Sequence, residues 1–314
     1  MKLPSYTSIV KGVKQMRRQL QEFLSKRAQA CVSSVRDYQV CDKMAKKKEL
    51  FSDRKAEIIK VKARGTIDKI EQKDPDVEMV HYKAHIQYLV EQKSLLYLEE
   101  EVEHREAEFY KGVLIHDIEK KPYYLPVNTR DLLNADDAAR QGKGKGKGDF
   151  FRYNRLKVVQ YAERWWNDYN PSFKKFDVDC TNFVSQCLHA GGAPMRGYPN
   201  RTSGWWMRNN NWSFSWSVAN ALRWYLPRAK DGLRAIEVNS PEELLLGDVI
   251  CYDFEGDDRI NHNTIVTGKD ANGMPLVNAH TANSRMRYWD YEDSTAYTPN
   301  IKYKFFSIND EEFH

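Results

Sequence analysis

The sequence predicts an α+β protein with two domains, each built from helices and an antiparallel sheet. Three observations support this prediction. Apolar residues recur at helical spacing near the N-terminus and again after residue 150. Apolar and polar residues alternate one by one within residues 54–120, and several short apolar runs follow residue 247. At 314 residues the chain is long enough for two domains, each with its own core.

The first predicted element is one long helix over residues 5–50, because apolar residues recur there at steps of three and four. They are Ile9, Val13, Met16, Leu20, Phe23, Leu24, Ala28, Cys31, Val35 and Tyr38. The first fifty residues also hold 12 Lys+Arg against 4 Asp+Glu, which fill the other faces. We interpret this helix as a cover for its own domain. Contact of its basic face with an anionic surface or partner is the alternative.

The alternating pattern of residues 54–120 predicts a small antiparallel sheet. Its clearest strand is 80–90, preceded by a turn at 73–76 and, less cleanly, by a strand at 58–70. Residues 96–118 predict one or two more strands with glutamates on the exposed side. We expect this helix-plus-sheet region to carry no catalytic residues.

His81 and His85 fall on the polar side of the predicted strand 80–90. Two histidines four residues apart share one face of a helix, where they can bind zinc, but the spacing has no such meaning on a strand. We therefore predict solvated surface histidines here and no metal site.

A glycine- and lysine-rich segment, QGKGKGKG, predicts a linker at 141–150 between domains 1–140 and 151–314. All eight tryptophans follow it. Residues 1–150 carry 30 Lys+Arg and 24 Asp+Glu, whereas residues 151–314 carry 19 and 20. The basic excess therefore belongs to the N-terminal region, and we expect no nucleic-acid partner.

Several classes of protein are excluded by composition. No apolar run approaches the length of a membrane span, and the N-terminus lacks the apolar core of a secretory signal. A cytoplasmic location is the default expectation, with spore association or non-classical release as alternatives. Five cysteines without framework spacing argue against a disulfide scaffold, and the chain contains neither CxxC nor HExxH.

The second half begins with predicted helices and continues with predicted strands, an α+β order. The helices are expected at 153–169, at 180–190 before Gly191-Gly192, and at 216–226 before Pro227; the strands are expected at 248–254, 263–268, 275–280 and 301–308.

Cys180 is the first candidate catalytic residue, because it begins a predicted helix directly after Asp179, the predicted N-cap. The partial positive charge and free N–H groups at a helix start favour a thiolate, and a backbone N–H there could also bind an oxyanion. Cys187 and Cys251 lie at apolar positions of a helix and a strand and are assigned to the core.

Two histidines are candidate bases: His262 begins one predicted strand and His280 ends the next. If the connecting loop is 271–273, His280 lies opposite Thr264 and on the same sheet face as His262. A shift of one residue would place the two histidines on opposite faces.

The segments YAERWWNDYNPSF, DCTNFVSQCLHAGG, GDVICYDF, NHNTIVTG and PLVNAHT make residues 153–308 recognisable. This region resembles the putative amidase domain family of bacteria, a branch of the papain-like cysteine hydrolases related to the NlpC/P60 and CHAP hydrolases. The resemblance implies that Cys180 is the nucleophile, His262 the general base and His280 the residue that orients it. Asn261 departs from the acidic or glycine residue usual before the base. The implied chemistry needs no metal or organic cofactor.

The leading hypothesis is therefore a cysteine amidohydrolase or peptidase that cleaves peptide-type amides, with peptidoglycan stem peptides as the substrate class by analogy. Transfer of the acyl group to an amine is one alternative, and a non-catalytic binding adaptor is another. Candidate substrate-binding residues near Cys180, or in the tryptophan-rich stretch, are Asp179, Asn182, Gln186, Trp205 and Trp206. For Asp179 a helix-capping role is the alternative, for Asn182 and Gln186 a plain surface role, and for the two tryptophans a place in the core.

Overall fold

The computed structural model describes residues 6–32, 42–122 and 151–309, with side chains from residue 12 onward. The chain divides into two compact units: residues 1–121 with Glu292–Thr295, and residues 122–291 with 296–314. The predicted linker 141–150 lies outside the described residues. None of the described helices is long and apolar enough to cross a membrane.

The first unit combines two helices with an antiparallel sheet. Its elements are α1 (Tyr6–Val32), α2 (Asp42–Asp53), β1 (Ala56–Asp74), β2 (Val77–Gln92), β3 (Leu95–Tyr110) and β4 (Val113–Glu119). Each strand pairs with the next one along the chain, in the order β1-β2-β3-β4. The predicted helix-plus-sheet architecture is therefore confirmed.

The prediction of one continuous helix over residues 5–50 is wrong. The Cys31 Sγ atom lies 3.1 Å from the Met44 Sδ atom, although the two residues are 13 positions apart. In a continuous helix they would be separated by about 20 Å, at 1.5 Å per residue. The chain therefore folds back between α1 and α2. Val35 and Tyr38, which we placed on the apolar stripe, lie outside the described residues.

The alternation that predicted the strand 80–90 is confirmed by β2. Its even-numbered side chains are buried: Val80, Tyr82, Ala84, Ile86, Tyr88 and Val90. From α1, Met16, Leu20 and Leu24 are also buried. A Cβ atom on Gly65 of β1 would lie 3.2 Å from Leu24 Cδ1, so helix and sheet approach closely at this glycine.

The glutamates of β3 contradict the prediction that they face solvent. Glu99, Glu101 and Glu103 are all buried. Lys43 Nζ lies 2.7 Å from a Glu103 oxygen, and Lys47 Nζ lies 2.5 Å from a Glu99 oxygen. Buried carboxylates are tolerated when cations neutralise them, so basic residues of α2 allow this polar row in the interior.

The second unit places helices before an antiparallel sheet, as predicted. Its elements are α3 (Arg155–Trp165), α4 (Cys180–Ala190), β5 (Met207–Arg208), β6 (Asn211–Trp212), α5 (Phe214–Ser217), α6 (Ala219–Tyr225), β7 (Ala235–Val238), a 3₁₀ helix (Pro241–Glu243), β8 (Val249–Asp253), β9 (His262–Lys269), β10 (Pro275–Ala279), β11 (Ser284–Tyr288) and β12 (Lys302–Ile308). The strand order is β11-β10-β9-β8-β12-β7.

The α3 helix is shorter than the predicted 153–169. It begins after Asn154, whose Oδ1 atom accepts the Lys157 N–H at 3.0 Å, and it ends at Trp165. An asparagine that accepts this hydrogen bond is a strong helix start, because it satisfies one of the free amides of the first turn.

Each face of the second-unit sheet packs against a different hydrophobic cluster. Cys251 and Ile265 belong to the cluster that also contains residues of α3 and α4. Their neighbours Tyr252 and Val266 belong to a separate cluster on the other face. Because side chains alternate along a strand, one residue of register decides which face a side chain reaches.

Candidate active site

Cys180 is the first residue of α4, as predicted, and its side chain is buried. Burial raises the pKa of its thiol. Hydrogen bonds from the Asn263 backbone and from the Thr181 and Thr281 side chains lower this pKa, while the Asp179 charge raises it further. The net shift is upward, so the resting group is a neutral thiol.

Asp179 precedes α4 but does not cap it through its side chain. Instead, Asp179 Oδ2 lies 2.7 Å from His280 Nδ1. Asp179 Oδ1 accepts hydrogen bonds from the Phe176 N–H and the Asn182 side-chain amide, both at 2.9 Å. The predicted capping role is therefore replaced by a carboxylate–histidine pair.

The ring of His280 contacts residues of α3 and α4. Its Nε2 atom lies 2.7 Å from the Trp165 carbonyl oxygen, and its ring stacks on Phe183 with centroids 4.1 Å apart. One ring nitrogen thus faces the Asp179 carboxylate and the other the Trp165 carbonyl oxygen. The resemblance implied that His280 orients His262, but the structure pairs His280 with Asp179 and Trp165 instead.

His262 lies in a buried aromatic cage on the opposite face of the sheet. Its ring centroid is 5.6 Å from that of Tyr252, 6.0 Å from that of Phe254 and 5.4 Å from that of Tyr291. Its Nε2 atom lies 3.5 Å from the Tyr291 hydroxyl. Burial, with a smaller contribution from Arg287, lowers the pKa of His262 to about 3, so its imidazole is neutral at pH 7.

A register shift in the hairpin explains why the two histidines separate. The predicted loop is confirmed, since the Asp270 N–H donates to the Met274 carbonyl at 2.8 Å. Leu276 pairs with Gly268 as expected, but the next residue, Val277, pairs with Val266.

Thr267 is thus the extra residue of a bulge, and beyond it every pairing moves by one position. Continuing this register places Asn263, not Thr264, opposite His280. His262 and His280 therefore point to opposite faces, and Asn263 takes the place facing α4. The Thr181 hydroxyl donates to Asn263 Oδ1 at 2.9 Å, which is consistent with this orientation.

Thr281 is a residue of the site that the sequence analysis missed. Its Oγ1 atom accepts hydrogen bonds from the backbone N–H groups of Asp179 at 3.1 Å and Cys180 at 3.2 Å. The Cys180 amide, which we expected to be available for an oxyanion, thus already has a partner. The only signal in the sequence is that a hydroxyl residue follows His280. Its contact with Asp179 and Cys180, about one hundred residues earlier, has no counterpart in the sequence pattern.

The remaining substrate-binding candidates are buried and engaged in structural hydrogen bonds. Gln186 accepts from the Tyr161 hydroxyl at 2.6 Å, and Asn182 accepts from the Trp216 ring N–H at 2.8 Å. Trp205 and Trp206 are both 0% exposed, which leaves them no surface to form a substrate wall in this structure. The alternative, a place in the core, is what the structure favours for both tryptophans.

His81 and His85 lie on the polar side of β2, as predicted, and pair with carboxylates of β3. His81 Nδ1 is 3.0 Å from a Glu106 oxygen, and His85 Nε2 is 2.8 Å from a Glu100 oxygen. Within the described part of the chain, no group of three or more histidine, cysteine or acidic residues could hold a metal ion.

The fold and site define an α+β domain with a cysteine at the start of a helix, a histidine at the start of one strand and another directly after the adjacent strand. Residues 152–306 match the putative amidase domain family. The uncharacterized protein YhbB of Bacillus subtilis (strain 168) is 52% identical over 271 residues, which cover 85% of this chain and 86% of YhbB. The chain therefore belongs to the putative amidase domain family.

A second relative is more distant. The uncharacterized protein YjcM of Bacillus subtilis (strain 168) is 29% identical over 174 residues, which cover 52% of this chain but only 38% of YjcM. No solved structure matches the chain. Because the YhbB match is longer than residues 152–306, part of the first unit also has a counterpart in YhbB.

Proposed function

We propose that the second unit is a cysteine-dependent amide hydrolase in which Cys180 is the nucleophile. The observation that carries this proposal is the position of Cys180 as first residue of α4, with a backbone hydrogen bond from Asn263 to its thiol. Helix-start amides and such donors stabilise a thiolate. Membership of the putative amidase domain family supports the same reaction class.

The proposed reaction proceeds through a thioester. A base takes the thiol proton, and the sulfur of Cys180 attacks the carbonyl carbon of a peptide-type amide. The protonated base then gives its proton to the leaving amine as the carbon–nitrogen bond breaks. Water attacks the thioester, the base takes a proton from that water, and the acid product leaves as the thiol is restored. Peptidoglycan stem peptides are the substrate class we propose.

We assign the base role to His262. It directly precedes Asn263, the residue whose backbone hydrogen-bonds to the sulfur. In its buried position a pKa of about 3 makes its imidazole a weak base, so the role requires a change of environment that raises this pKa. His280 faces a carboxylate and a carbonyl oxygen, and it satisfies both acceptors only when both of its nitrogens carry protons. Because its side chain lies on the sheet face opposite α4, His262 can act only if the start of β9 rearranges so that the ring reaches Cys180.

The test of the nucleophile compares wild-type protein with Cys180→Ala and Cys187→Ala. Cys187 is the matched control, because it is buried in the same helix. Each protein is incubated with peptidoglycan fragments and with a peptide library, and products are identified by mass spectrometry. Wild type and Cys187→Ala are expected to release the same acid and amine products, and Cys180→Ala none. Equal product from Cys180→Ala would refute the proposal.

The base assignment is tested separately with His262→Gln and His280→Gln. Loss of a general base commonly lowers kcat by about 10²–10⁴-fold, so His262→Gln is expected to fall in this range. His280→Gln is expected to lose less activity and to show its effect mainly in the free energy of unfolding. Wild-type kcat in His262→Gln, with a large loss in His280→Gln, would transfer the base role to His280.

A further inference from the structure

Thr281 makes contacts at the start of α4 that the mechanism above does not use. Its Oγ1 atom accepts the N–H groups of two consecutive residues, Asp179 at 3.1 Å and Cys180 at 3.2 Å. The first amides of a helix have no partner within the helix and carry its partial positive charge. One hydroxyl oxygen therefore takes up two of these donors beside the candidate nucleophile.

The backbone of Thr281 is held in a conformation that a threonine rarely adopts. Its φ angle is +79°, in the left-handed region, where a β-branched side chain is an outlier. Such strain persists only where the surrounding structure enforces it, and it clusters at functional sites. Glycine at this position would relieve the strain but would remove the hydroxyl. The presence of threonine therefore indicates that the hydroxyl is needed here despite the strained backbone.

The Thr281 hydroxyl lies beside the candidate nucleophile, because its Oγ1 atom is 3.2 Å from the Cys180 nitrogen. Burial has the largest effect on the pKa of the Cys180 thiol and raises it, whereas side-chain hydrogen bonds of Thr181 and Thr281 lower it. Thr181 lies nearby, with its Oγ1 atom 3.8 Å from the sulfur, but it donates its proton to Asn263 at 2.9 Å. Two N–H donors on one oxygen polarise the O–H bond and make it a stronger donor.

We propose that Thr281 is a catalytic residue, whose hydroxyl transmits the positive end of α4 to the Cys180 sulfur and stabilises the thiolate. The path runs from two backbone amides, 3.1 and 3.2 Å from Oγ1, through the hydroxyl to the side chain of the second of these residues. The inference rests on the proposed function only in taking Cys180 as the nucleophile. It assigns to the residue after His280 a direct effect on the reacting atom.

The test measures thiol reactivity in the full-length protein, independently of turnover. Iodoacetamide labelling of Cys180 is followed by peptide mass spectrometry as a function of pH, for wild type, Thr281→Val and Thr281→Ser. Thr281→Val preserves the shape of the side chain and removes the hydroxyl. The midpoint, the pH at which Cys180 labelling reaches half of its maximal rate, is therefore expected to rise by about one unit, and labelling at pH 7 to become about tenfold slower. Thr281→Ser is expected to keep the wild-type profile.

Two further variants keep the test decisive. Thr281→Gly removes the hydroxyl and relieves the positive φ angle, so it serves if Thr281→Val fails to fold. Thr267→Val is the matched control, since its buried hydroxyl donates to Asn278 Oδ1 at 2.8 Å, and it should leave the profile unchanged. An unchanged or lowered midpoint in the folded hydroxyl-free variants would overturn the inference. Product formed by Cys180→Ala would instead refute the proposed function, while the labelling profile would still decide the role of Thr281.

Discussion

Glu103 of the first unit is buried in a different electrostatic setting from Cys180 and His262 of the second unit. In the first unit, burial would raise the pKa of Glu103, but Lys43 and Arg27 hold it well below its usual range. In the second unit, burial dominates, raising the pKa of Cys180 and lowering that of His262 to about 3. The cations around Glu103 outweigh its burial and preserve its charge, whereas at Cys180 and His262 burial has the larger effect and favours the neutral form. The first arrangement keeps a carboxylate charged inside the fold, and the second keeps a thiol and an imidazole neutral at pH 7.

The largest expected effect comes from breaking a buried ion pair of the first unit. Lys43→Ala removes the cation that lies 2.7 Å from Glu103 and 3.0 Å from Glu101. Buried carboxylates left without this partner should lower the free energy of unfolding by about 3–5 kcal/mol. Chemical denaturation followed by circular dichroism measures the loss. Lys46→Ala, on the same helix but 37% exposed, is the control and should cost less than about 1 kcal/mol. Similar losses in both variants would contradict the comparison.

The next effect is a pH dependence in the second unit. His262 is neutral in the folded state down to pH about 3, whereas in the unfolded chain it takes up a proton near pH 6.5. Because the unfolded state binds more protons in this window, stability falls as pH falls, by about 2 kcal/mol between pH 7 and pH 5.

Tryptophan fluorescence can follow this transition, because all eight tryptophans belong to the second unit. Urea denaturation at pH 7 and pH 5 is compared between wild type and His262→Gln. Between pH 7 and pH 5, the free energy of unfolding should fall by about 2 kcal/mol less in the variant than in wild type. An equal change in the free energy of unfolding between pH 7 and pH 5 in both proteins would show that His262 is not buried in its neutral form.

A smaller effect separates two buried cysteines of one helix. Burial raises the pKa of Cys187 well above its usual value, whereas donors around Cys180 partly offset burial there. At pH 7 we expect alkylation of Cys180 to be at least about tenfold faster, which corresponds to about 1.4 kcal/mol. Peptide mass spectrometry after timed labelling gives both rates, and labelling in denaturant provides the reference. Equal rates in the folded protein would argue against an activated Cys180.

The smallest effect concerns an exposed ion pair. Arg18 Nε lies 3.0 Å from Glu22 in α1, with side chains 82% and 57% exposed. Arg18→Ala should change the free energy of unfolding by less than about 0.5 kcal/mol, because water and salt screen such pairs. A loss near that of Lys43→Ala would remove the distinction between buried and exposed pairs.

Local patterns predicted much of the fold. The alternation in β2 and the placement of Cys180 at a helix start needed only neighbouring residues, and both are confirmed. The glutamates of β3 were placed on the wrong side, because their burial depends on Lys43 and Lys47 more than fifty residues earlier in the chain. Charge pairing over such a separation leaves no periodic pattern in the sequence.

The sequence by itself determined the α+β class, the first-unit strand that alternation marks, several second-unit strands that short apolar runs mark, and the residue types of the candidate site. Only the tertiary structure decided which of those residues meet. One extra residue at Thr267 moved the register, so that His280 faces Asp179 while His262 enters the aromatic cage. The same structure brought the Thr281 hydroxyl to the first amides of α4. The physical reason is that side-chain direction alternates with every residue of a strand. A single bulge therefore changes the face that each following residue shares with its partner strand, and no local sequence pattern predicts where the bulge lies.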